Sequence, residues 1–553
     1  MLAVADSAQQ GLFDSSWCGN VVPRDSFFSL LAEHGHRLVR DEDFADCYAR
    51  GRGRPSIPPS LLAKVLLLAY RSRLSDRQAM EAVRFDLRWK VALRLPLDHE
   101  GFHPTSLVKF RARLLLHGKE RVVFERSLEL ARELGLISEP VEQVVDSTPM
   151  LGAAATQDTV TLVRSGVRKL LDAVSGEDAE AAAALVRDLE FDYARPRQKP
   201  DCEWRSKPAR EALLTRVARD AERALRAVEL APELSQAGPV ADAAALLREL
   251  IGQDFELDED DLPRLRRGTA KERILSVHDP EMRHGRKSER QRFDGYKLHA
   301  AASVGPAPLL TAIEVTPASA HDGAQAAALV DSQPEPLRPR RLLGDSAYGD
   351  SETRERLEQR QVELLAPVPG PPPAAGRLGK GDFALDLAAG TATCPAGHVQ
   401  PIGEPVASGQ RYVCFPKALC NACPLEPRCA PNRRGRTLTL LRREDLAQAG
   451  RAALRDPPTR EHLRRTRPLI ERLLGLLVHR YQARKSRYRG KRKASFQAAW
   501  TAVLVNLHPI EAALKATAAR PTGQGRKAPL EDQARRPRPP SDRPLATTSS
   551  AAF

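Results

Sequence analysis

Residues 141–150 read VEQVVDSTPM, and this stretch decides the fold class. The chain before it spaces its apolar residues as helices do, whereas here Val144 and Val145 form a short apolar run that ends in polar residues. Such a run is typical of a buried strand that leads into a turn. We therefore predict that Asp146 lies at the polar end of a strand, the place where open α/β sheets hold their ligands.

Strand and helix patterns alternate again further along the chain. We predict strands at 297–303 and 309–319, a helix at 321–332 with Asp322 near its N-cap, a strand and then a turn at 340–350, a helix at 351–361 and a strand at 362–369. This order is typical of an α/β core. Asp345 directly follows Leu342-Leu343-Gly344, so it repeats the placement of Asp146.

Two carboxylates at strand ends of one sheet suit phosphodiester chemistry. Cleavage needs an oxygen nucleophile made from water and stabilisation of charge on the phosphate oxygens, and two metal ions roughly 3.5–4 Å apart provide both. Mg²⁺ prefers hard oxygen ligands and keeps some of its waters, so few carboxylates suffice. Taken singly, Asp146 or Asp345 is better read as a turn former or helix cap. As a pair they favour a site that a third acid would complete.

The remaining chain divides by composition and periodicity. Residues 58–135 are helical, and Ser75 with Gln78 fits a capping box. Three helices with a basic last member fit a helix-turn-helix DNA reader or an ordinary bundle, and this stretch alone favours the bundle. We predict a helical N-terminal domain at 1–135, the first core strand at 136–154, a helical insertion at 155–270, the main core at 271–370, a cysteine-rich insertion at 371–455, C-terminal core helices at 456–517 and a disordered basic tail at 518–553.

The charge of the chain points to a polyanionic partner. The formal net charge is +15 and the pI is about 9.6, and nucleic acid is the commonest partner of so basic a protein. Eight basic residues and no acidic one lie between Arg480 and Lys493, although such runs are more often solvated faces. No apolar run is long enough to span a bilayer and no signal peptide pattern is present, so we expect a cytoplasmic protein.

Five of the eight cysteines lie between residues 394 and 429. A Cys-x-x-Cys pair with two further thiolates suits one tetrahedral Zn²⁺ in a structural role. The alternative is a set of unpaired, reduced cysteines. Cys414 lies in a predicted strand where we expect it to be buried, and His398 is a possible substitute ligand. The ligands that we favour are Cys394, Cys420, Cys423 and Cys429.

Several segments, taken in order, resemble those of DDE transposases of bacterial insertion sequences. They are VVDSTP (144–149), RFDGYKLHAA (292–301), LLGDSAYG (342–349), RPLIERLLGLL (467–477) and YRGKRKASFQAAWTAVLVNLHPI (488–510). PPSLLAKVLLLAYRSRLSDRQAM and SLVKFRARL also resemble the helical N-terminal domain of that family. The resemblance covers most of residues 20–510, and the ordered combination carries it rather than any single motif.

The resemblance implies an RNase H-like α/β core with a mixed sheet, in which Glu471 joins Asp146 and Asp345 as the third carboxylate. It further implies two Mg²⁺ or Mn²⁺ ions per active site, double-stranded DNA as substrate (terminal inverted repeats and target DNA), and a homodimer on DNA at the nucleoid. The reaction would be cleavage at the ends of an insertion sequence followed by strand transfer. Two alternatives stay open: a catalytically inactive DNA-binding descendant, and an RNase H-like nuclease without strand transfer.

Glu471 has two interpretations from the residues alone. It lies in an apolar helical stretch beside Ile470, where a metal would supply the partner that a carboxylate needs. It could equally be an exposed residue that pairs with Arg467 or Arg472. The chain also departs from related families, which carry a Tyr and a Lys where this sequence has Arg464 and Val478.

Basic residues after Glu471 are candidates for phosphate contacts, because arginine binds phosphate through a planar fork and the interleaved Tyr488 can pack on sugar or base. We predict a DNA-binding surface that also includes Lys297 and Arg467. The residues in the segment itself are Arg484, Lys485, Arg487, Arg489, Lys491, Arg492 and Lys493.

Overall fold

The computed structural model describes residues 21–49, 55–139, 141–194, 200–259, 263–287, 290–370, 376–429 and 434–518. The predicted basic tail lies almost wholly outside these ranges. The N-terminal part consists of α1 (Phe27–Leu38), α2 (Pro59–Arg71), α3 (Asp76–Phe85), α4 (Leu87–Leu93), α5 (Thr105–Leu116) and α6 (Val122–Glu133). The predicted capping box is confirmed, because Ser75 Oγ accepts from Gln78 N while the Gln78 side chain accepts from Ser75 N.

The basic residues of α5 are used largely inside the protein. Arg111 donates to both carboxylate oxygens of Asp76, and the Arg113 guanidinium lies 4.8 Å from the centre of the Tyr48 ring. These contacts hold α5 in a packed helical bundle and leave Lys109 as the exposed cation of the helix. The bundle interpretation is therefore favoured over a helix that reads bases with these side chains.

A helical segment follows the first core strand, β1 (Glu142–Leu151). Its helices pack around a hydrophobic core of their own, in which Val167, Val217 and Leu247 are fully buried. The elements are α7 (Thr159–Glu177), α8 (Ala179–Asp188), α9 (Lys207–Glu229), α10 (Pro232–Gln236), α11 (Gly238–Asp254) and the short hairpin of β2 (Phe255–Leu257) and β3 (Pro263–Leu265).

The predicted α/β core is a six-stranded mixed sheet. β1 is joined in it by β4 (Arg283–Arg286), β5 (Arg292–Ser303), β6 (Leu310–Pro317), β7 (Arg341–Leu343) and β8 (Glu363–Leu365), with α12 (Asp322–Asp331) and α13 (Ser351–Glu358) between strands. β5 runs antiparallel to β1, β4 and β6, whereas β7 runs parallel to β1 and β8. β1 thus lies at the centre, with antiparallel strands on one side and parallel strands on the other.

β1 does not end at Asp146, so that part of the prediction was wrong. The strand continues to Leu151 because the long strand β5 pairs with it all the way, from Gln143 opposite Ser303 to Leu151 opposite Gly295. What ends near Asp146 is the parallel partner on the other side, since β7 pairs with β1 only as far as Val144. Asp146 therefore lies inside a strand but beside the end of its neighbour.

A cysteine-rich segment precedes the last helices. It contains two small sheets built from β9 (Ala384–Asp386), β10 (Thr391–Thr393), β11 (Val399–Pro401), β12 (Arg411–Phe415) and β13 (Arg436–Leu440), with the short helices α14 (Lys417–Asn421) and α15 (Glu426–Cys429). Its buried core has six residues, among them Phe383, Val413 and Phe415. So small a core gives little stabilisation of its own.

The C-terminal helices cover one face of the sheet. They are α16 (Glu444–Ala453), α17 (Pro457–Gly475) and α18 (Lys491–Ala518), and a π-helical turn, Leu476–Arg480, ends α17. α17 packs on β1 and β5, whereas α18 packs on β6 and on the N-terminal helices α2 and α6. The segment between α17 and α18 is a loop, so the predicted helical stretch at 456–517 is interrupted. No helix within the described ranges is long and apolar enough to cross a membrane.

Candidate active site

Asp146 and Asp345 leave the sheet on the same face. Val144 on β1 is the register partner of Leu343 on β7, and each aspartate lies two residues beyond one of these partners. Because side chains alternate between faces along an extended chain, each aspartate shares the face of the residue two before it. Val144 and Leu343 both belong to the core under α17. Both carboxylates therefore lie on the side of the sheet that α17 covers.

A tight turn holds the carboxylate of Asp345. The residue begins a 3-10 turn, Ser346–Tyr348, and its Oδ1 accepts a hydrogen bond of 2.9 Å from Ala347 N. Tyr348 is fully buried below the turn, and its ring contacts Gly344 closely enough that a Cβ there would lie 3.0 Å from Tyr348 Cβ. The cap that a lone aspartate usually provides is present, but it uses only one of the two carboxylate oxygens.

Glu471 lies on α17 with its side chain 55 % exposed, and its Oε1 is 3.6 Å from a guanidinium nitrogen of Arg467. Its neighbours Ile470, Leu473 and Leu474 are buried against the sheet. The pairing that defined the alternative interpretation is thus present. Glu471 nevertheless also interacts with Asp146, because its negative charge contributes to the raised pKa of that aspartate.

The pKa of Asp146 depends on the charges of Asp345, Glu471 and Arg467. Burial and, to a smaller extent, the negative charges of Asp345 and Glu471 raise the pKa of Asp146 from 3.8 to about 6, against the opposing effects of the Ser147 N–H and the Arg467 guanidinium. The Ser147 N–H donates to Asp146 Oδ1 at 2.7 Å. Like charges that act on a buried carboxyl favour its protonated form unless a cation offsets them. Two carboxylates and one guanidinium thus act on the ionisation of Asp146.

The carboxylates do not form the tight shell of a single bound ion. Among the residues that the structure describes, no three His, Cys, Asp or Glu side chains stand close enough to be ligands of one metal. A pair of ions spreads its protein ligands over a wider space than one ion does, and Mg²⁺ fills much of its coordination shell with water. Carboxylates supply the hard oxygen donors that Mg²⁺ prefers.

The opposite face of the sheet carries residues that the sequence interpretation did not assign to the site. Ser147 Oγ donates to Asp322 Oδ2 at 3.0 Å, and Lys297 Nζ donates to Asp322 Oδ1 at 2.8 Å. Lys297, which we expected at the DNA, is only 15 % exposed in this ion pair. Lys297 and Asp322 are 25 residues apart in the sequence, so no local pattern indicates that they are in contact.

The basic segment after α17 joins three parts of the molecule. Leu151 N donates to Arg484 O at 2.7 Å and Ser486 N donates to Leu151 O at 2.8 Å, so the segment borders the end of β1. Arg487 lies 5.0 Å from the centre of the Tyr70 ring on α2, and Arg492 pairs with Glu120 at 3.1 Å. These two arginines therefore bind N-terminal elements.

The remaining members of the segment differ in what they offer to a ligand. The side chains of Lys485, Arg489 and Lys493 are exposed, whereas Arg484 and Lys491 are partly covered. The backbone N–H of Lys491 donates to Glu281 Oε2 at 2.8 Å. The surface that DNA can reach is therefore narrower than the run of charges in the sequence.

The cysteine-rich segment gathers the four thiols that we favoured as zinc ligands. Cys394, Cys420, Cys423 and Cys429 line one cavity together with His398. Burial raises the pKa of Cys420 and of Cys429. Cys414 is exposed on β12, so the expectation that it is buried was wrong; its strand turns the side chain away from the small core. The thiols share the cavity without standing in the geometry of a bound ion.

Two protein-family models match the chain. A transposase domain of the DUF772 family matches residues 18–113, which hold α1 to α4 and most of α5, and a transposase DDE domain matches residues 393–510, which begin at the cysteine cluster and include Glu471. Comparison with curated proteins and with solved structures gave no significant match. Asp146 and Asp345 lie between the two matched ranges, so their assignment rests on the sheet geometry. A DDE domain implies an RNase H-like core, in agreement with the mixed sheet.

Proposed function

We propose that this chain, which matches a transposase domain and a transposase DDE domain, is a transposase of the insertion-sequence type that cuts DNA at the ends of its element and joins them to target DNA. The proposed metal ligands are Asp146, Asp345 and Glu471. One observation carries the proposal: the two aspartates follow register partners on adjacent parallel strands, under a helix whose glutamate adds, after burial and Asp345, to the raised pKa of Asp146. The negative charges of two acids from other parts of the chain thus act on Asp146.

DDE transposases use divalent metal ions, and Mg²⁺ or Mn²⁺ fits the donor set of three carboxylates. When bound there, a pair of such ions supplies an activated water molecule and offsets the charge on the phosphate oxygens. The chain itself fixes the ligands: β1 holds Asp146 opposite β5 and beside the end of β7, the Ala347 N–H orients Asp345, and α17 presents Glu471. Arg467, one turn before Glu471, is placed to pair with a DNA phosphate when the glutamate binds metal.

The substrate in this proposal is duplex DNA, both the terminal inverted repeats and the target. Lys485, Arg489 and Lys493 are exposed in the basic segment, which borders the end of β1 at Arg484 and Ser486, and they would hold phosphates without reading sequence. A homodimer on paired element ends is the assembly that we propose, since each end needs an active site. After hydrolysis, the freed 3′-OH would attack the target phosphodiester in line.

Replacing Asp345 with Asn tests the catalytic assignment. The change removes a metal ligand but leaves the basic surface, so we expect Mg²⁺-dependent cleavage and strand transfer to be lost while DNA binding is kept within about twofold. Asp350→Asn is the matched control, because Asp350 caps the next turn through Thr353 N at 2.8 Å. Cleavage by Asp345→Asn at the wild-type rate would contradict the assignment. Cleavage without strand-transfer products would favour a nuclease instead.

We also propose that the four clustered cysteines hold one structural Zn²⁺. The support is their common cavity and the small core around it, which a tetrahedral metal would strengthen. Elemental analysis of the purified full-length protein should give one zinc per chain, and Cys423→Ser should lose it. Cys414→Ser, the control at the exposed cysteine, should keep it. Absence of zinc from the wild type would leave the cysteines as reduced thiols.

A further inference from the structure

The residues behind the two aspartates form a connected polar network on the opposite face of the sheet. Lys297 Nζ donates to Asp322 Oδ1 and to Ala320 O, each at 2.8 Å, and Asp322 Oδ2 accepts from Ser147 Oγ at 3.0 Å. The Lys297 and Asp322 side chains are 15 % and 18 % exposed. Ser147 is the residue next to Asp146, so this network reaches the backbone that carries the first carboxylate.

The first turn of α12, which begins at Asp322, also contacts the residues that follow β7 and Asp345. Asp322 and Gly323 form the start of α12, and Gly323 packs against Ala347 O, Asp350 and Thr353, leaving no room for a Cβ. Ala347 is the residue whose N–H orients Asp345. The first turn of α12 is therefore wedged between Ser147 on β1 and the turn after β7.

We propose that Lys297, Asp322 and Ser147 form a bracket that sets the separation of Asp146 and Asp345, and that Lys297 is a positioning residue rather than a DNA contact. The inference rests on the proposed function, since the separation matters only if the two aspartates share metal ions. The Lys297 ammonium group binds both the Asp322 carboxylate and the Ala320 carbonyl oxygen. Asp322 in turn ties the Ser147 segment of β1 to α12, which is seated on the Asp345 turn.

The network is suited to positioning because its charges are matched and shielded. A buried ion pair whose partners are also hydrogen-bonded has few alternative geometries. Residues that orient metal ligands from behind affect metal affinity strongly: their loss typically costs about 10–100-fold. A lysine that contacts DNA directly would affect DNA affinity and its salt dependence instead.

Mn²⁺ binding to the full-length protein, measured by titration calorimetry without DNA, tests the bracket independently of cleavage. We expect Lys297→Met and Ser147→Ala to weaken Mn²⁺ binding at least about tenfold, while affinity for duplex DNA stays within about twofold. Ser147→Ala removes one hydrogen bond and no charge, so it carries the test if Lys297→Met fails to fold. Arg273→Met is the matched control, because Arg273 and Asp254 form a comparably buried pair, 11 % and 6 % exposed, in the helical segment.

The control should lose thermal stability but bind Mn²⁺ as the wild type does. Unchanged Mn²⁺ affinity in folded Lys297→Met and Ser147→Ala would overturn the bracket and leave the proposed function standing. A loss of DNA affinity with unchanged Mn²⁺ binding would make Lys297 a DNA contact and likewise overturn it. If the wild type binds no Mn²⁺, the proposed metal site itself fails, and the bracket fails with it.

Discussion

Replacing Asp146 with Asn should stabilise the metal-free protein although it removes a catalytic ligand. Asparagine keeps the acceptor oxygen that Ser147 N–H uses, at 2.7 Å, but carries no charge. The substitution therefore relieves the burial of a carboxylate and its repulsion by Asp345 and Glu471. A site that gathers negative charge for cations destabilises the fold until the cations bind. The substitution should therefore lower activity and raise the stability of the metal-free protein.

The sign and size of the effect follow from the raised pKa of Asp146. The folded state holds the proton up to about pH 6, whereas the unfolded state releases it near 3.8. The free energy of unfolding of the chelated wild type should therefore fall as pH rises from about 4 to 6 and stay lower above that. A shift of roughly two units corresponds to about 3 kcal/mol at most, and relaxation of the partly exposed site reduces it to about 1–3 kcal/mol.

Urea unfolding in EDTA at several pH values measures this difference. At pH 7.5 we expect Asp146→Asn to be more stable than the wild type by about 1–3 kcal/mol, and near pH 4 the two should converge. Asp158→Asn is the control: Asp158 caps α7 through Thr161 N at 3.0 Å, and asparagine caps equally well. A variant less stable than the wild type at pH 7.5 would refute the idea that burial and the neighbouring acids make the charged Asp146 carboxylate destabilising.

Two further changes separate the roles of the basic segment. The triple replacement of Lys485, Arg489 and Lys493 with Ala should weaken binding to element-end and random duplexes about equally. It should also lower the slope of log K against log salt by about three, because each lost phosphate contact removes about one unit. A loss of affinity confined to the element-end duplex would instead make the segment a sequence reader. Arg487→Ala should instead lower the melting temperature by loosening the contact with Tyr70 while the salt slope stays within about one unit of wild type; a slope reduced as far as that of the triple variant would contradict this structural role.

The sequence predicted the strands that carry the acids, but the extent of β1 was beyond it. Short apolar runs before Asp146 and Asp345 are local signals, and both residues do lie where a parallel neighbour ends or a turn begins. The continuation of β1 to Leu151 depends on pairing with β5, more than 140 positions later in the chain. Strand length is set by such distant partners, which a local pattern does not contain.

Charge in the sequence did not predict which side chains are free. Lys297 and Arg487 look alike as isolated cations, but one is paired with Asp322 behind the sheet and the other lies over Tyr70. Asp322 lies 25 residues from Lys297 in the sequence, and Tyr70 lies 417 residues from Arg487. Glu471 shows the reverse case, since its pairing with Arg467 at i,i+4 was a local expectation and is present.

The location of bound metal is the most direct test of the central claim. Crystals of the full-length protein soaked in MnCl₂, with anomalous scattering recorded at the manganese edge, would show where the ions lie. We predict two manganese peaks roughly 3.5–4 Å apart between the carboxylates of Asp146, Asp345 and Glu471. Manganese bound elsewhere, with these three carboxylates left without a peak, would contradict it.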